Sequence, residues 1–267
     1  MFRRIEYKTA AQMKAMRRAG LIVAEIHDEV RRAIRPGAST ADLDAAAGRA
    51  LERAGAASNF LGYYGFPGLI CVSVNEEIVH GIPGERRLQA GDVVSVDAGA
   101  VVGGWHGDAA FSTVVPEADP ADLDLLRATE HAMWSGIAAL ATARRIEDVG
   151  AAVEDAAGQY GIVREYTGHG IGTAMHQPPD VPNYRTGRRS PALKPGMCLA
   201  VEPMLTRGAE ATVVLEDEWT VVTADSSRAA HFEHTVAVHP EGLWVLTCPD
   251  GGARALADFG VQVAPLH

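Results

Sequence analysis

Apolar, strand-like runs that each enclose one acidic or imidazole residue constrain this chain more than any other feature. Asp97 follows Val93-Val94-Ser95-Val96, and Asp108 lies in the run from His106 to Val115. Burying a carboxylate is costly unless it is paired or bound to a cation. A hairpin turning at Val102-Gly103 would set position 97 directly opposite position 108. Directly opposed residues share a face, with Cβ atoms ~5 Å apart. Two carboxylates so placed repel each other, and a divalent metal between them removes the penalty. A lone aspartate is more often a surface or turn residue. The pair, set in apolar strands, favours metal binding.

Three similar residues follow. His169 sits in Gly168-His169-Gly170-Ile171-Gly172, where flanking glycines let backbone or ligand approach closely. Glu202 follows Cys198-Leu199-Ala200-Val201, and Glu233 lies in His231-Phe232-Glu233-His234-Thr235-Val236. Each alone could be a satisfied core polar group. Together with the aspartates they make four carboxylates and one imidazole. That set is too oxygen-rich for a structural zinc site, and its nitrogen is unusual for calcium. It suits a pair of divalent ions that activate water for hydrolysis. His80, before Gly81-Ile82-Pro83, and His176 are candidates for hydrogen bonding to a developing oxyanion. The other histidines are taken as structural or surface residues, with His106 and His231 worth following because each lies close to a ligand.

The net charge of -10 argues against a general nucleic-acid binder, which needs a basic face for phosphates. Hydrophobic residues make up 47%, enough for a substantial core. The three cysteines, Cys71, Cys198 and Cys248, form no CxxC motif and no closed disulfide framework. No apolar run approaches the ~18 residues needed to cross a membrane, and Met1–Lys8 lacks an apolar leader. A cytoplasmic protein is expected.

Thr9-x-x-Gln12 reads as a capping box opening a helix that Pro36-Gly37 stops. A second helix is expected from Ser39-Thr40 to Gly55, then strands over 70–78, 92–100 and 106–115. The order restarts with a helix at Pro120 and another from Ile146 to about Tyr160, ending at Gly161. Strands are expected over 162–166, 197–205, 212–223 and 231–238. This is an α+β chain of two similar halves sharing an antiparallel sheet, one domain over 1–267 with a tail from about Gly252.

Six ordered stretches carry a resemblance: Asn75-Glu-Glu-Ile-Val-His-Gly-Ile-Pro83, Val96-Asp-Ala-Gly-Ala100, Trp105-His-Gly-Asp108, Gly168-His-Gly-Ile-Gly172, Val201-Glu-Pro-Met204 and Phe232-Glu-His-Thr-Val236. From about Tyr7 to about Gly251 the chain resembles the type I methionine aminopeptidases in their minimal bacterial form. The resemblance implies the two-halved pita-bread fold, with helices outside the sheet. It implies a dinuclear site for Co, Mn, Fe, Zn or Ni. Asp97 would chelate one ion, Asp108 and Glu233 would bridge, and His169 and Glu202 would bind the other. Glu202 would also act as general base, His176 would stabilise the tetrahedral intermediate, and His80 would contact the scissile amide nitrogen and help protonate it. Phe60, Tyr63, Phe66, Cys71, Met175 and Trp219 would form the methionine pocket.

The implied activity is removal of the initiator methionine when the second residue is small. The implied partners are emerging nascent chains, with the ribosome as a candidate docking partner, no nucleic-acid substrate, no membrane, and a monomeric enzyme. Phe60, Phe66 and Met175 stand where bacterial relatives often carry cysteine, tyrosine and phenylalanine. His231 stands where glutamine is common, and Glu218 where glycine is usual. A proline-specific peptidase on the same fold would place an arginine-rich motif where Phe232–Val236 stands. A ligand-depleted binding protein would lack some of the five ligands, and a type II enzyme would carry an insertion between Glu202 and Glu233.

Overall fold

The computed structural model describes residues 4–266. Part of the Met1–Lys8 segment read as lacking a leader, and His267, read as a structural or surface residue, lie outside the described residues. Two helices come first. Thr9 caps α1 (Ala10–Ala33) with the expected capping box to Gln12, and Met13, Met16, Val23, Ile26 and Val30 are buried on one face. Ser39 and Asp42 form a second capping box on α2 (Thr40–Ala54), which ends at Gly55 in the left-handed conformation, φ 61°. Strands β1 (Ala57–Ser58), β2 (Cys71–Val74), β3 (Glu77–Val79), β4 (Val93–Val102) and β5 (Trp105–Val114) follow. A turn at Asn75-Glu76 divides the expected 70–78 strand into β2 and β3.

The pattern then restarts. Asp119 caps α3 (Pro120–Ala139), with Pro120 where its missing N–H costs nothing. Helix α4 (Glu147–Ala157) ends at Gly158 rather than Gly161, because Gly158 already takes a positive φ of 63°. Ten strands follow: β6 (Gly161–Ile162), β7 (Gly168–Gly170), β8 (Gln177–Val181), β9 (Cys198–Val201), β10 (Met204–Thr206), β11 (Thr212–Val214), β12 (Val221–Thr223), β13 (Ala229–His231), β14 (Glu233–His239) and β15 (Gly242–Val245). The expected 197–205 strand is broken at Glu202-Pro203, where proline offers no ladder N–H. The expected 212–223 strand is two arms of a hairpin whose turn holds Glu218 at φ 64°. Of the 162–166 run only Ile162 lies in a strand, the end of β6, and Phe232 separates β13 from β14. The tail carries a short helix, α5 (Ala253–Ala257). Beyond it Ala264 N donates to Leu243 O at 3.0 Å, and Phe259 stacks on His131.

The principal sheet has nine strands in the order β1-β4-β5-β14-β9-β7-β8, with β2 also on β4 and β15 also on β14. All its pairings are antiparallel. The halves meet where β5 of the first pairs with β14 of the second. Alternation along the strands sends Ala109 and His234 toward the helices. His27 on α1 reaches Ala109 O at 3.0 Å, and Trp134 on α3 packs against His234. Their neighbours Asp108, Ala110 and Glu233 therefore face the opposite side. Two glycines let α1 lie directly on β5: a Cβ on Gly107 would stand 2.7 Å from Gly20 N.

Candidate metal centre and adjoining pocket

The hairpin of β4 and β5 turns at Gly103-Gly104, so Asp97 pairs with Ala110, and Asp108 with Gly99. The expected direct opposition of 97 and 108 is thus replaced by a diagonal one. The offset is two residues, an even number, so both side chains keep the same face. Ala110 also pairs with Glu233 across β14, giving a cross-strand row Cys71, Asp97, Ala110, Glu233. Only a methyl group stands between the two carboxylates of that row.

His169 comes from β7. Cβ atoms on its neighbours Gly168 and Gly170 would each lie 2.3 Å from a backbone oxygen, of Ala200 and Pro178 respectively. The close approach anticipated from those glycines is present. Glu202 lies at the break between β9 and β10, its Oε1 3.4 Å from His169 Nε2. Donor atoms of Asp108, His169 and Glu233 lie within 4.8 Å of one another, and so do those of Glu202, His231 and Glu233. Asp97 falls outside both groups but shares their face.

Asp97 Oδ1, Asp108 Oδ1 and Glu233 Oε1 are buried with no hydrogen-bond partner. Unsatisfied buried carboxylate oxygens call for a cation. Burial raises the Asp97 carboxyl to about 7. Burial, then repulsion from Glu233 and Asp97, pushes Asp108 well above the carboxylate range. Burial and neighbouring carboxylates do the same to Glu202 and Glu233. Burial drives His169 down to about 3, leaving a neutral imidazole available to coordinate. The residues present fit a pair of divalent ions.

An adjoining cavity of about 110 Å³ is lined by these five residues and by Phe60, Tyr63, Phe66, Cys71, His80, Met175, His176 and Trp219. Every candidate site residue therefore lines one cavity. Phe60, Phe66, Cys71 and Met175 form its apolar wall, with Tyr63, Trp219 and Ile82 packed against them. A wider groove of about 770 Å³ beside Ile5, Pro178, Pro179 and Tyr184 holds none of these groups. His176 Nδ1 lies 2.8 Å from the Tyr63 hydroxyl, and its ring meets His169 edge-on at 4.4 Å. His80 takes a positive φ of 61° and packs edge-on against Tyr166 and Trp219. Such backbone strain is concentrated at functional sites. Burial lowers His80 to about 4, so it is neutral near pH 7.

Three supporting residues escaped the sequence reading. Asn59 Nδ2 donates to Gly107 O at 3.1 Å, its Oδ1 lies 3.0 Å from His106 Nδ1, and its side chain hydrogen-bonds Asp108. Thr235 Oγ1 donates to Asp108 O at 2.7 Å and accepts from Asp108 N at 3.2 Å, tying β5 to β14. Ser112 binds both backbone groups of His231. Each belongs to a common residue type, and only the sheet pairing reveals it.

The model of metallopeptidase family M24 matches residues 14–240. The chain is 44% identical over 242 residues to methionine aminopeptidase 1 of Bacillus subtilis, covering 90% of this chain and 98% of that one. It is 45% identical over 252 residues to methionine aminopeptidase 1 of Mycobacterium tuberculosis, covering 91% and 95%. The chain belongs to the methionine aminopeptidases of family M24. The crystal structure of methionine aminopeptidase from Thermotoga maritima agrees with a TM-score of 0.89 at 38% identity, covering 91% of this chain and 99% of that one. A Xaa-Pro dipeptidase from Bacillus anthracis, at 23% identity and a TM-score of 0.72, covers 90% of this chain and 61% of that one and shares the fold alone. The fold is the expected pita-bread arrangement. Phe60, Phe66 and Met175 are all buried in one apolar cluster. Glu218 takes a positive φ of 64°, a conformation that glycine would adopt without strain.

Proposed function

We propose that this chain is a single catalytic domain that removes the initiator methionine from new proteins whose second residue is small. The convergence of unpartnered, buried carboxylate oxygens at the end of an aromatic-walled cavity supports this reading most directly. Asp97, Asp108, His169, Glu202 and Glu233 would hold two divalent ions, of which Co, Mn, Fe, Zn and Ni all suit the donor set. Bound there, the ions supply Lewis acidity that polarises the scissile carbonyl and lowers the pKa of the attacking water.

The remaining work falls to the chain. Glu202, at the break between β9 and β10 beside His169, would receive the proton of the attacking water. In the tautomer in which Nδ1 accepts from the Tyr63 hydroxyl, 2.8 Å away, His176 carries its proton on Nε2 and would donate it in a hydrogen bond to the developing oxyanion. His80, neutral and held by its strained backbone, would hydrogen-bond at the scissile amide, and the proton that Glu202 takes from water would pass to the amide nitrogen as the C–N bond breaks. Phe60, Phe66 and Trp219, packed edge to face on one another, would offer the methionine thioether an aromatic wall, a favourable surrounding for sulfur.

The substrates would be nascent N-termini met in the cytoplasm by a monomeric enzyme, with the ribosome as a docking partner. No described helix is long and apolar enough to cross a membrane. The deciding experiment gives metal-loaded protein a panel of Met-Xaa peptides. Methionine should be released from Met-Ala-Ser and barely from Met-Lys peptides. Release of residues preceding proline, without release of methionine, would defeat the reading.

A further inference from the structure

The Glu202 carboxylate stands between two imidazoles. Its Oε1 is 3.4 Å from His169 Nε2, and its Oε2 is 3.7 Å from His231 Nε2. Both separations are longer than an ordinary hydrogen bond. They approach the spacing between ligands on one ion: donors about 2.1 Å from a tetrahedral centre stand roughly 3.4 Å apart. His231 is only 2% exposed, and its Nε2 is buried with no hydrogen-bond partner. Its position is fixed from behind, because the Ser112 hydroxyl donates to His231 O and accepts from His231 N, each at 2.9 Å. Met204 pairs with it on β10. Nε2 and donor atoms of Glu202 and Glu233 all lie within 4.8 Å of one another.

We propose that His231 is a further protein ligand of the metal centre, adding a second imidazole on the side formed by Glu202 and Glu233. This rests on the dinuclear reading above and changes its donor set. Two nitrogens among the carboxylates favour Zn, Co and Ni relative to Mn, because imidazole suits those ions better than the hard oxygen donors do. A histidine serving only as a hydrogen-bond partner of Glu202 would leave the nitrogen count at one.

Two measurements separate these roles. X-ray absorption on the Zn-loaded wild-type protein should count two imidazoles per ion pair, and a count of one overturns the proposal without relying on any variant. Equilibrium dialysis of metal-free wild type and of His231→Gln and His231→Asn should show Zn and Co affinity falling by more than the about 10–100-fold that losing an outer hydrogen-bond partner costs. Mn affinity should fall less, and the visible spectrum of the Co form should change. Unchanged affinities and an unchanged Co spectrum overturn the proposal. A wild-type protein that binds two ions through one imidazole defeats only the His231 assignment, whereas one that binds no divalent ion defeats the metal centre itself.

Discussion

At the scale of single residues, ligands and proton-handling groups should separate cleanly in experiment. Asp108→Ala removes a buried carboxylate whose Oδ1 has no protein partner, so bound metal and activity should fall together. Full activity at normal metal content would refute its role. His176→Ala should lower kcat by about 10²–10³, the usual cost of an oxyanion donor, while metal content stays normal. Loss of metal instead would make His176 a ligand. The ligand candidates were legible because a charged or imidazole group inside an apolar run has few explanations. Asn59 and Thr235 were not, since amides and hydroxyls occur throughout any chain. Their significance comes from contacts with Asp108 and Gly107 that only the folded sheet creates.

At the scale of elements, the helices were the most legible parts. Thr9 with Gln12 and Ser39 with Asp42 satisfy the exposed N–H groups of a helix start by local chemistry alone. The strands were less so. The hairpin register slipped by two residues because Gly103 and Gly104 both take positive φ and place the turn one residue later than expected. β8 and β15 gave no strand signal, the first because it contains Pro178 and Pro179. Two contacts between elements can be tested. Gly107→Ala would drive a methyl into the backbone of α1 at Gly20, and overpacking of this kind costs about 1–3 kcal/mol. Chemical denaturation should detect the loss, and unchanged stability would show that α1 can shift. Glu6 accepts from Thr173 N, Thr173 Oγ1 and Gln177 Nε2, fastening the segment that carries Met175 and His176. Glu6→Ala should lower kcat several-fold at normal metal content, with partial rescue in Glu6→Gln. Equal kinetics in all three proteins would show that the loop holds itself.

At the scale of the whole molecule, the site sets a pH dependence on folding. Burial raises the Asp97 carboxyl to about 7, above the unfolded value of about 3.9, and Asp108, Glu202 and Glu233 shift the same way. A group raised in the fold contributes stability that is full below the unfolded pKa and lost as pH rises through the folded one. The buried histidines, His80 lowered to about 4 and His169 and His231 to about 3, work the other way below their unfolded pKa of about 6.5, so metal-free protein should melt at progressively lower temperature from about pH 7 to about pH 9. Added divalent metal should raise Tm most at the alkaline end, where the carboxylates are ionised. A metal-free Tm that climbs with pH over that range would contradict this. The architecture of two halves was readable from the repeated order of helices and strands. How the halves join was not, because the β5–β14 seam pairs residues more than a hundred positions apart, such as Ala110 with Glu233.

That same pairing gives one small side chain an unexpected authority. Ala110 sits in the row between Asp97 and Glu233, so its methyl is the spacer between two of the carboxylates that would hold the ions. A leucine at 110 would keep all five ligands in the sequence yet force bulk between two of them. Telling a working relative from a silent one therefore requires reading the residue between the ligands as well as the ligands themselves.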